Sequence, residues 1–124
     1  MLDTLRKGEP VYFPSAETRT PLDVITLSRS VLEIIERRLT GIFHLAGNDR
    51  MTRFDMAGRI AAFYGFDQAL VRDQLSDPAK KRAPRPADAS LDNGKAKKVL
   101  KTPMLGFEEA LNLVQTEWRR MHHE

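Results

Sequence analysis

The sequence predicts a mixed α/β fold that is mostly helical and contains two short strands. Apolar residues recur at helical spacing in residues 20–39 and again in residues 108–121. Short apolar runs bounded by glycine or proline, at 11–13 and 42–46, are typical of strands. The run 42–46 is apolar at nearly every position, so we expect a strand buried on both faces, as in a parallel sheet.

Length and composition indicate a globular protein. The 124 residues suffice for one domain, and we predict a single domain over 1–124 or a part of a larger one. The chain has no cysteine, which excludes disulfides and thiolate metal sites. No segment approaches 18 consecutive apolar residues, and the amino terminus has no apolar core of a signal peptide. We therefore predict no membrane association and a cytoplasmic location.

The longest helix is predicted from its start signals. Thr20 is expected to cap it, Pro21 suits the first helical position, and Asp23 completes a capping box. The helix is predicted to run to about Leu39. Its apolar stripe is too broad for packing against one neighbour, so we expect it to lie between a sheet and a second layer.

Four further helices are predicted from the same cap and stop signals. The last helix places Trp118 on an apolar stripe, so we expect this side chain in the core. A short helix that ends before Gly8 is predicted at the amino terminus. The four further helices are predicted over Thr52 to Gly65, Asp67 to about Leu75, Asp92 or Asn93 to Pro103, and Glu108 to Met121.

The sequence contains none of the common cofactor or catalytic motifs. The seven glycines have no spacing that forms a dinucleotide-binding loop or a P-loop. Neither Tyr12 nor Tyr64 has a lysine four residues later. His44 is expected to be a core or strand-end histidine, and residues 122–124 lie at a terminus that should fray. We therefore predict no catalytic, cofactor-binding or metal-binding residue in this chain.

Basic residues are concentrated in residues 77–101. This segment has eight lysines and arginines against three aspartates, a local balance of +5. Such a balance favours an anionic partner, either a phosphate-bearing small molecule or a nucleic acid. A nucleic acid is disfavoured because no aromatic residues are interleaved with the charges. A solvated basic surface that binds nothing is the other interpretation.

Arg85 and Arg19 are the candidate phosphate ligands. Pro84 and Pro86 restrict the backbone on both sides of Arg85, so this arginine should lose little freedom on binding. A guanidinium suits a two-point contact with phosphate. Arg19 directly precedes a capped helix start, where an anion is also favoured. Spacing alone leaves ligand contact and simple solvation open for both.

Several stretches in order resemble a known family. They are TRTPLDVITLSRSVLEIIE, GIFHLAGNDRMTRFDMAGRIAAFYGF, APRPADASLDNGKAKKVL and GFEEALNLV. Together they are similar to the carboxy-terminal part of extended short-chain dehydrogenase/reductases, in the branch of the dTDP-4-dehydrorhamnose reductases. The resemblance extends from Leu2 to about Val114.

The resemblance implies a substrate-binding portion of a nucleotide-sugar oxidoreductase. It places Arg85 near the phosphates of the sugar nucleotide and, more loosely, Arg19 and Thr20 near the substrate cleft. Relatives often have Asp-Gln where this chain has Ala16 and Glu17, which leaves the sugar open. The intact enzyme would use NAD(P), but its cofactor loop and catalytic residues have no counterpart in these 124 residues.

The resemblance also predicts partners. Strands 11–13 and 42–46 would normally extend a larger Rossmann-type parallel sheet, so this fragment should expose sheet edges. We therefore expect a homo-oligomer, or association with a missing Rossmann half. A non-catalytic regulatory or protein-interaction module of the same family is the alternative function.

Overall fold

The computed structural model describes residues 1–74 and 83–123, and confirms the α/β class. The packing divides these residues into two compact units. The helices are α1 (Leu2–Arg6), α2 (Val24–Glu36), α3 (Arg53–Phe63), α4 (Gly94–Val99) and α5 (Phe107–His122). The strands are β1 (Val11–Phe13), β2 (Thr18–Arg19), β3 (Met51–Thr52) and β4 (Val71–Asp73), and a 3₁₀ turn spans Gln68–Leu70.

Unit 1 comprises Met1–Arg19 and the described part of Met51–Ala89, and contains a small parallel sheet. β1 pairs with β4, with Val11 opposite Val71. Strand 11–13 therefore pairs with a strand of the same unit. From the sequence we expected it to extend a larger sheet supplied by a missing Rossmann half. The helix predicted over 67–75 is wrong at 71–73, because pairing with β1 draws these residues into a strand.

Helix α3 covers this sheet and begins where the sequence predicted. The hydroxyl of Thr52 accepts the backbone N–H of Asp55 at 3.0 Å, which caps the helix. Gly65, at a φ of +76°, ends it. The buried residues of this core are Leu5, Val11, Ala57, Ala61 and Val71.

Unit 2 comprises Thr20–Arg50 and Ser90–Glu124, of which the last residue is not described. Helix α2 begins later than predicted: its N-cap is Asp23, whose Oδ1 accepts the Thr26 N–H at 2.7 Å. The expectation that Thr20 caps this helix is wrong. Its hydroxyl instead accepts the backbone N–H of Leu91 at 3.1 Å.

The predicted strand 42–46 is not formed in unit 2. Within residues 1–74 and 83–123 no segment pairs with it, and a strand needs a partner for its backbone groups. The carbonyl of Ile42 accepts from Lys95 Nζ, and the carbonyl of Ala46 accepts from Asn93 Nδ2, both at 2.8 Å. The core of this unit consists of Ala96, Leu100 and Met104 together with Leu22, Ile34, Leu39, Phe43 and Leu45.

Helices α4 and α5 lie close to their predicted positions, but the core prediction for Trp118 is wrong. The side chain is 59% exposed and stacks on the ring of His122, with the ring centroids 3.7 Å apart. The single domain over 1–124 stays a prediction. The basic residues Lys80, Lys81 and Arg82 lie outside the described residues. No helix of the described chain combines the length and apolarity that a membrane span needs.

Candidate functional site

The segment 83–89, which contains Arg85, is held along β2 by backbone hydrogen bonds. The N–H of Thr18 donates to the carbonyl of Ala87 at 2.6 Å, and the N–H of Ala89 donates back to the Thr18 carbonyl at 3.1 Å. Thr18 and Asp88 form a parallel bridge at this point. On its other edge β2 pairs with β3. The backbone that follows Arg85 is therefore held beside β2 at Ala87 and Ala89.

Arg85 is exposed to solvent. Its guanidinium forms no hydrogen bond or ion pair with the residues that the structure describes. A guanidinium has five N–H donors, and no described residue accepts from those of Arg85. The structure thus leaves Arg85 accessible on a segment whose downstream half is anchored.

Arg19 occupies a different environment from the one that the sequence suggested. Its Nη1 donates to the carbonyl of Thr18 at 2.7 Å and to the carbonyl of Pro86 at 3.3 Å. Its Nη2 lies 3.5 Å from Oε2 of Glu17, a side chain that is only 12% exposed. The same oxygen lies 3.3 Å from Nη1 of Arg53. The Arg19 guanidinium is therefore engaged with groups of the protein itself.

Thr20, the third candidate, belongs to unit 2, whereas Arg19 and Arg85 belong to unit 1. Its hydroxyl is occupied as the acceptor of the Leu91 N–H. The structure brings Arg19 to the carbonyl next to Arg85, and it assigns Thr20 a role in joining two segments of unit 2.

Several residues of the family-like stretches have structural roles. Lys95 Nζ lies 4.3 Å above the ring of Phe43, in addition to its bond with Ile42. A Cβ atom on Gly47 would lie 2.0 Å from the carbonyl oxygen of Pro21. These residues therefore contribute to the packing of unit 2.

The glycines do not form a cradle for a dinucleotide. In the described chain Gly8 and Gly65 follow helix ends at positive φ, and the space beside Gly47 is filled by Pro21. The described glycines therefore do not form the glycine-rich turn that binds the pyrophosphate of a dinucleotide. Nor do the described residues contain a cluster of three potential metal ligands.

A groove in unit 2, of about 610 Å³, was not anticipated from the sequence. At its base the Glu33 carboxylate accepts the N–H of Lys101 at 2.8 Å and both the N–H and the hydroxyl of Thr102 at 2.7 Å. The bond from the Lys101 N–H contributes most to lowering the pKa of Glu33 to about 2, and the bonds from Thr102 and Arg37 lower it further. Desolvation of the carboxylate acts in the opposite direction. The groove is lined by Arg29, Leu32, Glu33, Glu36, Arg37, Lys101, Thr102 and Pro103.

This groove is a poorer candidate for a ligand site than the surface around Arg85. Glu33 has its acceptor capacity taken up by the protein, and Arg29 lies 3.4 Å from Glu117. Arg37 donates to Glu33 and to the carbonyl of Val99. Since Glu33, Arg29 and Arg37 already contact groups of the protein, these three side chains have fewer polar atoms left for a ligand.

The described chain is an α/β fold that presents an exposed arginine on a segment hydrogen-bonded to β2. A family model described as the RmlD substrate binding domain matches residues 1–120. The chain therefore belongs to this family.

Two relatives differ in their described roles. The methionine adenosyltransferase 2 subunit beta of Xenopus tropicalis is 30% identical over 115 residues, which are 84% of this chain and 34% of that protein. The probable low-salt glycan biosynthesis reductase of Haloferax volcanii is 27% identical over 89 residues, which are 72% of this chain and 30% of that protein.

Solved structures show the same fold. A hypothetical dTDP-4-dehydrorhamnose reductase from Sulfolobus tokodaii is 31% identical with a TM-score of 0.72, covering 86% of this chain and 38% of that one. The dTDP-4-dehydrorhamnose reductase from Bacillus anthracis, in complex with NADP, has a TM-score of 0.79 at 17% identity, over 94% of this chain and 41% of that one. The chain thus spans about a third of the length of the relatives it matches.

Proposed function

We propose that this chain binds a nucleotide-sugar as the substrate-binding part of an NAD(P)-dependent reductase similar to dTDP-4-dehydrorhamnose reductase. The match of residues 1–120 to the family model is the observation that carries this proposal. Reduction itself would need the cofactor and catalytic residues of a separate region, since the sequence contains no dinucleotide-binding motif and no tyrosine with a lysine four residues later. By itself the chain is expected to bind the substrate and not to reduce it.

Arg85 is the residue that we propose contacts the phosphates of the ligand. Three features support this role: its guanidinium is exposed, no described residue pairs with it, and the residues after it are anchored to β2. Anchoring reduces the conformational entropy lost on binding, and a charge-assisted bond to phosphate is typically worth about 1.5–3 kcal/mol. Arg19 and Thr20 have their polar groups engaged with the protein, so their contribution to the ligand would be indirect.

Calorimetric titration with dTDP-glucose tests this proposal. Replacing Arg85→Ala is expected to weaken binding by about tenfold or more. Arg72→Ala is the matched control, because Arg72 is another exposed arginine of unit 1. Equal affinities of the two variants would remove Arg85 from the site, and no binding by the unmodified chain would refute the ligand.

A protein-interaction role is the second candidate, and the relatives described as a subunit of methionine adenosyltransferase favour it. In this case the chain would form a stoichiometric complex with a catalytic enzyme and would not bind a nucleotide-sugar. Titration with purified methionine adenosyltransferase, followed by light scattering, separates the two candidates.

Helix α2 also supports association of the chain with another protein surface. It buries polar residues and exposes apolar ones, the reverse of an ordinary surface helix. The residues it buries most deeply are Thr26 and Ser30, both polar. Its outward face is apolar over about 140° of the helix circumference, although surface helices normally expose polar residues. That face consists of Val24, Leu27, Val31, Leu32 and Ile35, together with Ser28, whose hydroxyl donates to the carbonyl of Val24.

We propose that a β-sheet covers this face. Directly after α2, Ile42 is 77% exposed, and the apolar segment 42–46 pairs with no described strand. A helix with an outward apolar face followed by an unpaired apolar segment is what an α/β unit presents when its sheet lies elsewhere. In the intact protein the Rossmann half would supply the sheet, and in the isolated chain a second copy would take its place.

A further inference from the structure

Arg19 and Arg85 differ in which groups they contact, and this difference assigns them different roles. We infer that Arg19 is a positioning residue that holds the Arg85 segment in place, and not a ligand for phosphate. This inference rests on the proposed function of Arg85. It concerns only unit 1, to which both arginines belong.

The hydrogen bonds of Arg19 connect β2 to the residue next to Arg85. Nη1 lies between the carbonyl of Thr18, in its own strand, and the carbonyl of Pro86, in the neighbouring segment. Backbone bonds hold Ala87 and Ala89 to Thr18, but the bond from Arg19 to Pro86 is the one closest in the chain to Arg85. Arg19 thus extends the anchored region by one residue, up to the residue that follows Arg85.

The electrostatic surroundings also separate the two arginines. The Arg19 guanidinium lies 3.5 Å from the largely buried carboxylate of Glu17, which Arg53 approaches from 3.3 Å. A phosphate at Arg19 would therefore have to compete with this carboxylate and with two backbone carbonyls for the donors of the guanidinium. Arg85 has no carboxylate among its described contacts. An anionic ligand consequently favours Arg85.

The geometry of the side chain matters for this role. A guanidinium presents its donors in a rigid planar fork, so that one group reaches both carbonyls and Glu17. A lysine keeps the charge but concentrates it in one ammonium group on a flexible stem. Arg19→Lys should therefore preserve attraction for an anion and lose the bridge.

Two measurements on the full chain test the inference. Hydrogen exchange of the Ala89 and Thr18 amides, without ligand, reports on the anchoring of the segment. Arg19→Gln and Arg19→Lys are both expected to accelerate this exchange about tenfold, whereas Arg85→Gln leaves it unchanged. Arg53→Gln is the matched control, since it removes a second arginine that contacts Glu17, and Arg53 has no described contact with Pro86.

The second measurement is the ratio of the affinities for dTDP and thymidine, which a general loss of stability would leave unchanged. Arg19→Gln and Arg19→Lys are expected to lower this ratio severalfold. Restoration of the ratio by Arg19→Lys, with unchanged amide exchange, would show that Arg19 is a direct ligand and would overturn the inference. If the unmodified chain does not bind dTDP, the proposed function fails, but the exchange experiment still decides whether Arg19 anchors the segment.

Discussion

The carboxylate of Glu33 accepts the backbone N–H of Thr102 at 2.7 Å, and thereby connects α2 to the turn that follows α4. The same carboxylate accepts the N–H of Lys101 and the hydroxyl of Thr102. One side chain therefore satisfies three donors of a turn that has no regular structure to supply acceptors. Glu33 therefore holds together two segments of unit 2 that are distant in sequence, α2 and residues 101–102.

Glu33→Gln should lower the melting temperature. The amide offers one acceptor oxygen in place of two, and its NH₂ group would face donors at Lys101 or Arg37. Glu36→Gln, on the same helix and in the same groove, is the control, because Glu36 is exposed. Thermal denaturation followed by circular dichroism measures both, and equal melting temperatures would contradict the structural role of Glu33.

The low pKa of Glu33 predicts a dependence of stability on pH. Its pKa is about 2 in the folded chain against 4.5 for the unperturbed group, chiefly because the Lys101 N–H stabilises the charged form. A lowered pKa stabilises the folded state above pH 4.5, and this contribution disappears as the pH falls toward 2. The melting temperature should therefore fall more steeply between pH 5 and 2 in the natural chain than in Glu33→Gln. Parallel curves would refute this assignment.

Gly47→Ala should destabilise unit 2. The added Cβ would lie 2.0 Å from the carbonyl oxygen of Pro21, which is backbone and cannot move aside cheaply. Overpacking of this kind costs about 1–3 kcal/mol or more. Gly58→Ala is the opposite case, since nothing lies within 4 Å of its Cβ position in the interior of α3. We expect it to stabilise the protein by about 0.5–1 kcal/mol in urea denaturation.

Asp23→Ala should weaken the start of α2. It removes the oxygen that accepts the Thr26 N–H at 2.7 Å, at a typical cost of about 1 kcal/mol. The other oxygen, Oδ2, is buried and has no partner in the described chain. Asp23→Ser keeps a capping acceptor and removes this oxygen, so it should match or exceed the natural stability. A loss as large as that of Asp23→Ala would disprove this account.

The outward face of α2 should drive association of the isolated chain. Light scattering at micromolar concentration is expected to detect dimers or larger species, and Val31→Asp should weaken association at least tenfold, because a charge would have to be desolvated in the interface. Lys98→Gln changes the net charge equally at an exposed site of α4 and serves as the control. If the natural chain is a stable monomer, the proposal that a second copy covers the outward face of α2 is wrong.

The sequence located most helices because their signals are local. Thr52 lies directly before α3 and Gly65 lies just after its end, so each is close in sequence to the backbone groups that it caps. Both ends of α3 were predicted from these two residues. Among the site candidates, the prolines beside Arg85 predicted a restricted backbone, and ligand binding by Arg85 stays a prediction. The engagement of Arg19 with Pro86 was not predictable, because the two residues are 67 positions apart and no local signal connects them.

By itself the sequence determined the α/β class, the positions of α1, α3, α4 and α5, and the family. These follow from periodicity, from caps within a few residues, and from motifs that can be read in order. Only the tertiary structure decided that 71–73 is a strand, that 42–46 is not, and that α2 is apolar on its exposed face. Strand pairing and burial depend on which distant residues meet, and the pattern of one segment contains no information about its neighbour in space.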